Sequence, residues 1–148
     1  MALADHNCPP DAPNTRSEIP KRPNWHPRLA AFWYAAEGIW HLLRTQRNAQ
    51  IHCAVAGIII VLGFALGIDL PEWLVIVVMI TLVLAAEGVN TAIEAVVDLV
   101  APEYHPLAKV AKDVGAGTVL LVAIGSVVVG VLIFLPRLWA LVAPLLGV

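Results

Sequence analysis

Long apolar runs alternate along this chain with short polar breaks, and the runs have membrane length. From Arg28 to Arg47, Leu29, Phe32, Trp33, Ala36, Ile39, Trp40 and Leu43 recur at helical spacing, with Glu37, His41 and Arg44 on the other side. This pattern predicts an amphipathic helix over about 28–47. Its tryptophans suit the membrane interface, rings at headgroup level and charges in water; packing on the ends of a helix bundle is the alternative. Three apolar segments follow, over about 51–68, 72–100 and 114–135. Each approaches or exceeds the roughly 20 residues that cross about 30 Å of hydrocarbon. Pro71 opens the second segment with Asp69 as its expected cap, Pro102 and Pro106 break the chain after it, and Pro136 is expected to stop the third. The result is one all-α membrane domain over 28–136. It follows a Pro-rich flexible tail (1–27) and precedes a short apolar tail (137–148) that contains Pro144.

Composition sharpens this picture. Hydrophobic residues make up 59% of the chain and charged residues 14%, with a mean hydropathy of +0.81, which excludes an ordinary soluble domain. A net charge of −2 with scattered basic residues offers nothing to a nucleic acid. Cys8 and Cys53 have no paired spacing, so neither a zinc site nor a disulfide framework is expected. His6 and Cys8 sit close enough to meet a stray metal, but a solvated tail explains them better. The first residues have neither the basic start nor the apolar core of a signal peptide. Arg16, Lys21, Arg22, Arg28, Arg44 and Arg47 precede the first span, Lys109 and Lys112 separate the second from the third, and the 69–72 loop has no Lys or Arg. The positive-inside rule then places the N-terminus and the 101–113 loop in the cytoplasm and the C-terminus outside.

The second span carries the chemistry. On a helix turning about 100° per residue, Glu87, Asn90, Glu94 and Asp98 share nearly one face. An acid at membrane depth costs roughly 2.5–3.5 kcal/mol on insertion scales, so this stripe should line a protein interior, a wet crevice or a bound cation. Just beyond it, Glu103-Tyr104-His105-Pro106-Leu107-Ala108-Lys109-Val110-Ala111-Lys112-Asp113 brings lysines to the same side of the membrane. Carboxylates that suit Mg²⁺ thus lie beside cations that suit phosphates. No Gly-x-x-x-x-Gly-Lys-Ser/Thr motif is present, and Gly115-Ala116-Gly117-Thr118 lacks the lysine, which excludes a phosphate-binding-loop kinase. Three readings stay open on these residues alone. They are a site for a phosphorylated ligand, a small ion-coupled transporter, and interhelical packing. In the last, the stripe would act as hydrogen-bonding glue against Gly115, Ala116, Gly117, Ala123, Gly125 and Ser126.

The run Ala86-Glu87-Gly88-Val89-Asn90-Thr91-Ala92-Ile93-Glu94-Ala95-Val96-Val97-Asp98, followed by Glu103-Tyr104-His105-Pro106-Leu107-Ala108-Lys109 and Lys112-Asp113, resembles the signature of prokaryotic diacylglycerol and undecaprenol kinases. The resemblance extends upstream through Phe32-Trp33-Tyr34-Ala35 and Gly38-Ile39-Trp40 to Arg44-Thr45-Gln46-Arg47-Asn48 and ends near Leu135. It implies a homotrimer with a surface helix and three transmembrane helices in each subunit, its sites shared between subunits. Such an enzyme phosphorylates a lipid alcohol, undecaprenol or diacylglycerol, with MgATP in the bacterial inner membrane. Carried over by position, Glu87 is the base, Glu94 holds Mg²⁺ and Asn90 positions the reacting groups. Lys112 and Asp113 contact ATP, Glu103 and His105 lie near the nucleotide, Tyr34 reaches in from the surface helix, and Arg28 borders the lipid. Gln46 departs from the pattern: the family often has a glutamate there that shares the metal with the equivalent of Glu94. Gln50 likewise stands where an arginine is common, and His52 suits the undecaprenol-kinase branch.

Overall fold

A computed structural model describes the backbone of residues 27–146 and the side chains of residues 29–144. The expected tail over 1–27 and the side chain of Arg28 therefore lie outside the described residues. Among the described residues the chain is all helix: α1 (Pro27–Thr45), α2 (Arg47–Leu66), α3 (Leu70–Val100) and α4 (Pro106–Leu146). Packing divides the chain within α1, between Tyr34 and Ala35. Helices α2, α3 and α4 are each long and apolar enough to cross a membrane. They make this an integral membrane protein.

Each boundary has a local cause. Gln46 leaves the helical region (φ −93°, ψ 113°) and separates α1 from α2. The break frees the Arg44 carbonyl from its helical partner, and the Gln50 side-chain amide donates to it at 3.1 Å. The end of α2 is a left-handed turn at Gly67 (φ 61°), where the Ile68 N–H closes onto the Gly63 carbonyl at 3.2 Å. Asp69 then caps α3 as expected, and it does so reciprocally. Its carboxylate accepts from the Glu72 N–H at 3.2 Å while the Glu72 carboxylate accepts from the Asp69 N–H at 2.9 Å.

The third span differs from its expected bounds. Helix α4 begins at Pro106, well before residue 114, and runs through Pro136 to Leu146 where a stop near 135 and a separate tail over 137–148 were expected. At the start, Pro106 takes a position where no backbone donor is needed, and the His105 Nδ1 accepts from the Leu107 N–H at 3.2 Å. At Pro136 the ring removes the helical hydrogen bond to the Leu132 carbonyl, and the helix continues through it. The Arg137 guanidinium donates to the Ile133 carbonyl at 3.1 Å. The same group forks onto Glu72 through two 2.6 Å hydrogen bonds, which ties the far end of α4 to the start of α3.

Helix α3 packs chiefly on α4 and less extensively on α2. The small buried core, Ile68, Ile76 and Phe134 with Leu62, Trp73 and Ile133 around it, lies toward the 67–69 turn. Trp73 packs over Gly63 so closely that a Cβ there would stand 2.8 Å from the ring. Most other large apolar side chains point outward, as they do where the surroundings are hydrocarbon or further copies of the chain.

Candidate active site

The expected polar stripe is real, and α3 turns it inward. Glu87 is 2% exposed and Asn90 7%, the two buried polar side chains among the described residues. From α2, the Nε2 of His52 approaches the Glu87 Oε1 to 3.3 Å. The two atoms lie close without a hydrogen bond between them, and the buried Oε1 has no hydrogen-bond donor. A buried acceptor left unbonded costs about 1–3 kcal/mol, a cost that an arriving hydroxyl would relieve. One turn on, the Asn90 amide donates to the Glu94 Oε1 at 3.0 Å. The Asn90 Oδ1 is also buried and unbonded. It lies against Gly115 of α4, where an added Cβ would come within 2.4 Å of that oxygen. Gly115 thus holds open the space that Asn90 occupies.

Toward the loop the stripe meets cations. Lys112 bonds Asp98 at 2.5 Å, joining the ends of α3 and α4. Lys109 pairs with Asp113 one turn away on α4. All four side chains are more than a third exposed, so these pairs contribute little to stability and are free to exchange partners with a phosphate. Glu103 and Tyr104 are exposed on the same loop, and His105 caps α4 as described. Gln46 is the half-buried break between α1 and α2. Leu42, one turn before it, sits 3.6 Å from where a Cβ on Gly88 would be, so the end of α1 borders α3 beside Glu87. Tyr34 is exposed in the first unit of the chain.

The structure therefore brings buried Glu87 and Asn90 and half-buried Glu94 together on one line, with Asp98, Lys112 and Asp113 at its loop end. Over the eleven residues from Glu87 to Asp98, a rise of about 1.5 Å per residue spreads this line along roughly 16 Å. No group of three or more Asp, Glu, His or Cys suited to a metal occurs among the described residues. That still fits Mg²⁺ bound with a nucleotide, which takes one or two carboxylates and completes its shell with phosphate and water. Glu94, half-buried beside Asn90, would supply one such carboxylate.

Three contacts were not legible from the residues alone. His52 stands out in the sequence only as a mark of one branch, yet it touches the most buried acid. Gln50 registers only as a missing arginine, yet it bridges the α1–α2 break. Gly115 looks like one of several small packing residues. Of the other glycines among them, Gly117 and Gly125 have open space around them, whereas Gly115 meets the polar stripe.

The prokaryotic diacylglycerol kinase family matches residues 33–134. The undecaprenol kinase of Bacillus subtilis (strain 168) is 44% identical over 108 residues, 73% of this chain and 88% of that protein. The diacylglycerol kinase of Synechocystis sp. is 42% identical over 114 residues, 76% of this chain and 65% of that protein's length. The diacylglycerol kinase of Haemophilus influenzae is 34% identical over 103 residues, 68% of this chain and 87% of that protein. The matched region contains the whole polar stripe, its histidine and the lysine-bearing loop. The chain belongs to the prokaryotic diacylglycerol kinase family and is a lipid kinase.

Proposed function

We propose that this kinase transfers the γ-phosphoryl group of ATP to the hydroxyl of a membrane lipid alcohol, undecaprenol or diacylglycerol, at the cytoplasmic face. The observation that carries this reading is the Glu87 carboxylate, buried at membrane depth with an oxygen lacking any donor. A lipid hydroxyl at that depth donates its proton to Glu87, and its oxygen bonds to the γ-phosphorus. The bond from phosphorus to the bridging oxygen breaks, and ADP leaves. Asn90 orients the reacting groups. Glu94 would hold Mg²⁺, with Gln46 as a second, neutral ligand. The ion neutralises phosphate charge when bound.

Lys112 and Asp113 meet the nucleotide at the loop end, with Glu103 and His105 contributing to its surroundings. The basic loop ends support a cytoplasmic N-terminus and an outward C-terminus. A homotrimer with sites shared between subunits suits the outward apolar faces of α2–α4. The small transporter or structural protein is the competing reading, and the lipid-kinase family membership weighs against it.

The test is an assay of the protein in vesicles, supplied with undecaprenol or diacylglycerol and with ATP or GTP. ATP- and Mg²⁺-dependent formation of a lipid phosphate is expected. No nucleotide consumption with either lipid would overturn the reading.

A further inference from the structure

Past Arg137, α4 changes character. The helix continues for nine more residues to Leu146, about 13 Å at helical rise, in a stretch beyond the residues that the family matches. Residues 138–148 include no charged side chain. At the start of this stretch, the Arg137–Glu72 fork and the Asp69 cap gather charges at one level beside the turn that joins α2 to α3. An irregular turn with charges belongs at the edge of the hydrocarbon, not within it. The apolar segment therefore begins about where the hydrocarbon of a flat bilayer ends.

Its faces say what surrounds it. Successive helical residues turn by about 100°, so Trp139 and Leu141 project from nearly opposite sides. They are 57% and 60% exposed, and Leu138 and Val142, on a third side, are 38% and 43% exposed. No side carries a polar row like the one that Glu37, His41 and Arg44 give α1. A helix docked on a protein in water keeps one polar face, as does a helix lying on a membrane surface. A helix that is apolar all round is enclosed. A second copy of the chain seated against one side would leave the opposite side in water, whereas lipid closes around every side.

We propose that residues 138–144 are an anchor held in the bilayer leaflet on the side of the 67–69 turn, with the acyl chains and headgroup boundary of membrane phospholipids as their partner. The polar layer on each side of a bilayer is only about 5–8 Å deep, so an upright, uncovered α4 would overrun it. A span longer than the bilayer is accommodated by tilt, by kinking or by local thickening of the lipid, each at modest cost. Pro136, where one helical hydrogen bond is already missing, is the place at which α4 bends most cheaply. Trp139 lies where an amphipathic ring is favoured, at headgroup level. The fork thus holds this end of α4 to α3, and the anchor holds it to lipid. The inference depends neither on the direction of insertion nor on the catalytic reading.

The test is spin labelling of the full-length protein in phospholipid vesicles, in a Cys8→Ser, Cys53→Ala background. Trp139→Cys, Leu141→Cys and Val142→Cys each carry one label, and a label at Glu103→Cys, on the exposed loop, is the aqueous reference. Oxygen concentrates in hydrocarbon and a nickel chelate in water, so their collision rates report what touches each label. The oxygen-to-nickel ratio should exceed that of the reference roughly tenfold at all three α4 positions. A ratio near the reference at Trp139→Cys and Leu141→Cys would put the segment in water and overturn the proposal. A label at either position shielded from both reagents would show a second copy seated on that side, and would overturn it equally.

A second arm leaves the chain unaltered. Phospholipids with a photoreactive diazirine near the top of one acyl chain should cross-link to Trp139 and Leu141, as mapped by mass spectrometry, and phospholipids with the diazirine at the chain end should do so far less. Absence of both cross-links would also overturn the proposal.

Discussion

At the scale of single residues, the site depends on two neutral choices as much as on its acids. Gly115 is the first. Its missing Cβ is the space that the Asn90 Oδ1 fills, so Gly115→Ala must push the Asn90 side chain off its hydrogen bond with Glu94. Overpacking of this kind costs about 1–3 kcal/mol. Activity should fall at least tenfold while nucleotide binding changes little, as measured by initial rates beside equilibrium nucleotide binding. Gly117→Ala, in open space, serves as the control, and equal loss in both would remove Asn90 from the site.

Gln46 is the second neutral residue. Mg²⁺ favours anionic oxygen, so Gln46→Glu should lower the Mg²⁺ concentration for half-maximal rate by about tenfold, or roughly 1.4 kcal/mol. Titration at saturating ATP measures this. An unchanged half-saturation point would place residue 46 outside the metal site. The acids were legible in the sequence because polar residues in an apolar run are conspicuous, and Gln46, in the polar stretch Arg44-Thr45-Gln46-Arg47-Asn48, was legible only through the family resemblance. The roles of Gly115 and His52 were not, since each depends on which residue of a neighbouring helix lies opposite, and helical periodicity carries no information about that pairing.

At the scale of elements, the helices followed from apolar length, and the start of α3 from Asp69 and Pro71. The end of α4 did not follow. The helix runs on through Pro136, and Arg137 just beyond it anchors this end of α4 to Glu72. Glu72 in turn completes the cap of α3, so one carboxylate closes a helix start and clamps a helix end. Removing either partner leaves the other charge without its fork, and Glu72→Gln and Arg137→Leu should each destabilise the fold. Thermal unfolding in detergent should show both single variants lowered and the double variant less destabilised than their sum. Strict additivity would mean that the fork contributes nothing. Because this clamp lies at the end of the bundle remote from Glu87, the variants should retain phosphoryl transfer at temperatures where they stay folded.

For the whole molecule, the direction of insertion decides whether the site can meet its nucleotide. The loop from 101 to 105 must face the cytoplasm and the turn at 67–69 the outside. Cysteine probes at Glu103 and at Leu70, which is 71% exposed and outside the Glu72 clamp, test this in a Cys8→Ser, Cys53→Ala background. An impermeant thiol reagent on intact cells should label Leu70→Cys and spare Glu103→Cys. The opposite pattern would separate the lysines from cytosolic ATP.

Phosphoryl transfer by this protein comes down to one proton acceptor, the Glu87 carboxylate. The most direct measurement is single-turnover phosphoryl transfer from ATP to a lipid alcohol by Glu87→Gln, in vesicles and with nucleotide binding measured on the same preparation. The substitution keeps the size of the side chain and removes the basic oxygen, and general base catalysis is typically worth about 10²–10⁴-fold. A rate lower by at least a hundredfold with nucleotide affinity retained is the predicted result. A rate within a few-fold of the unaltered protein would contradict it.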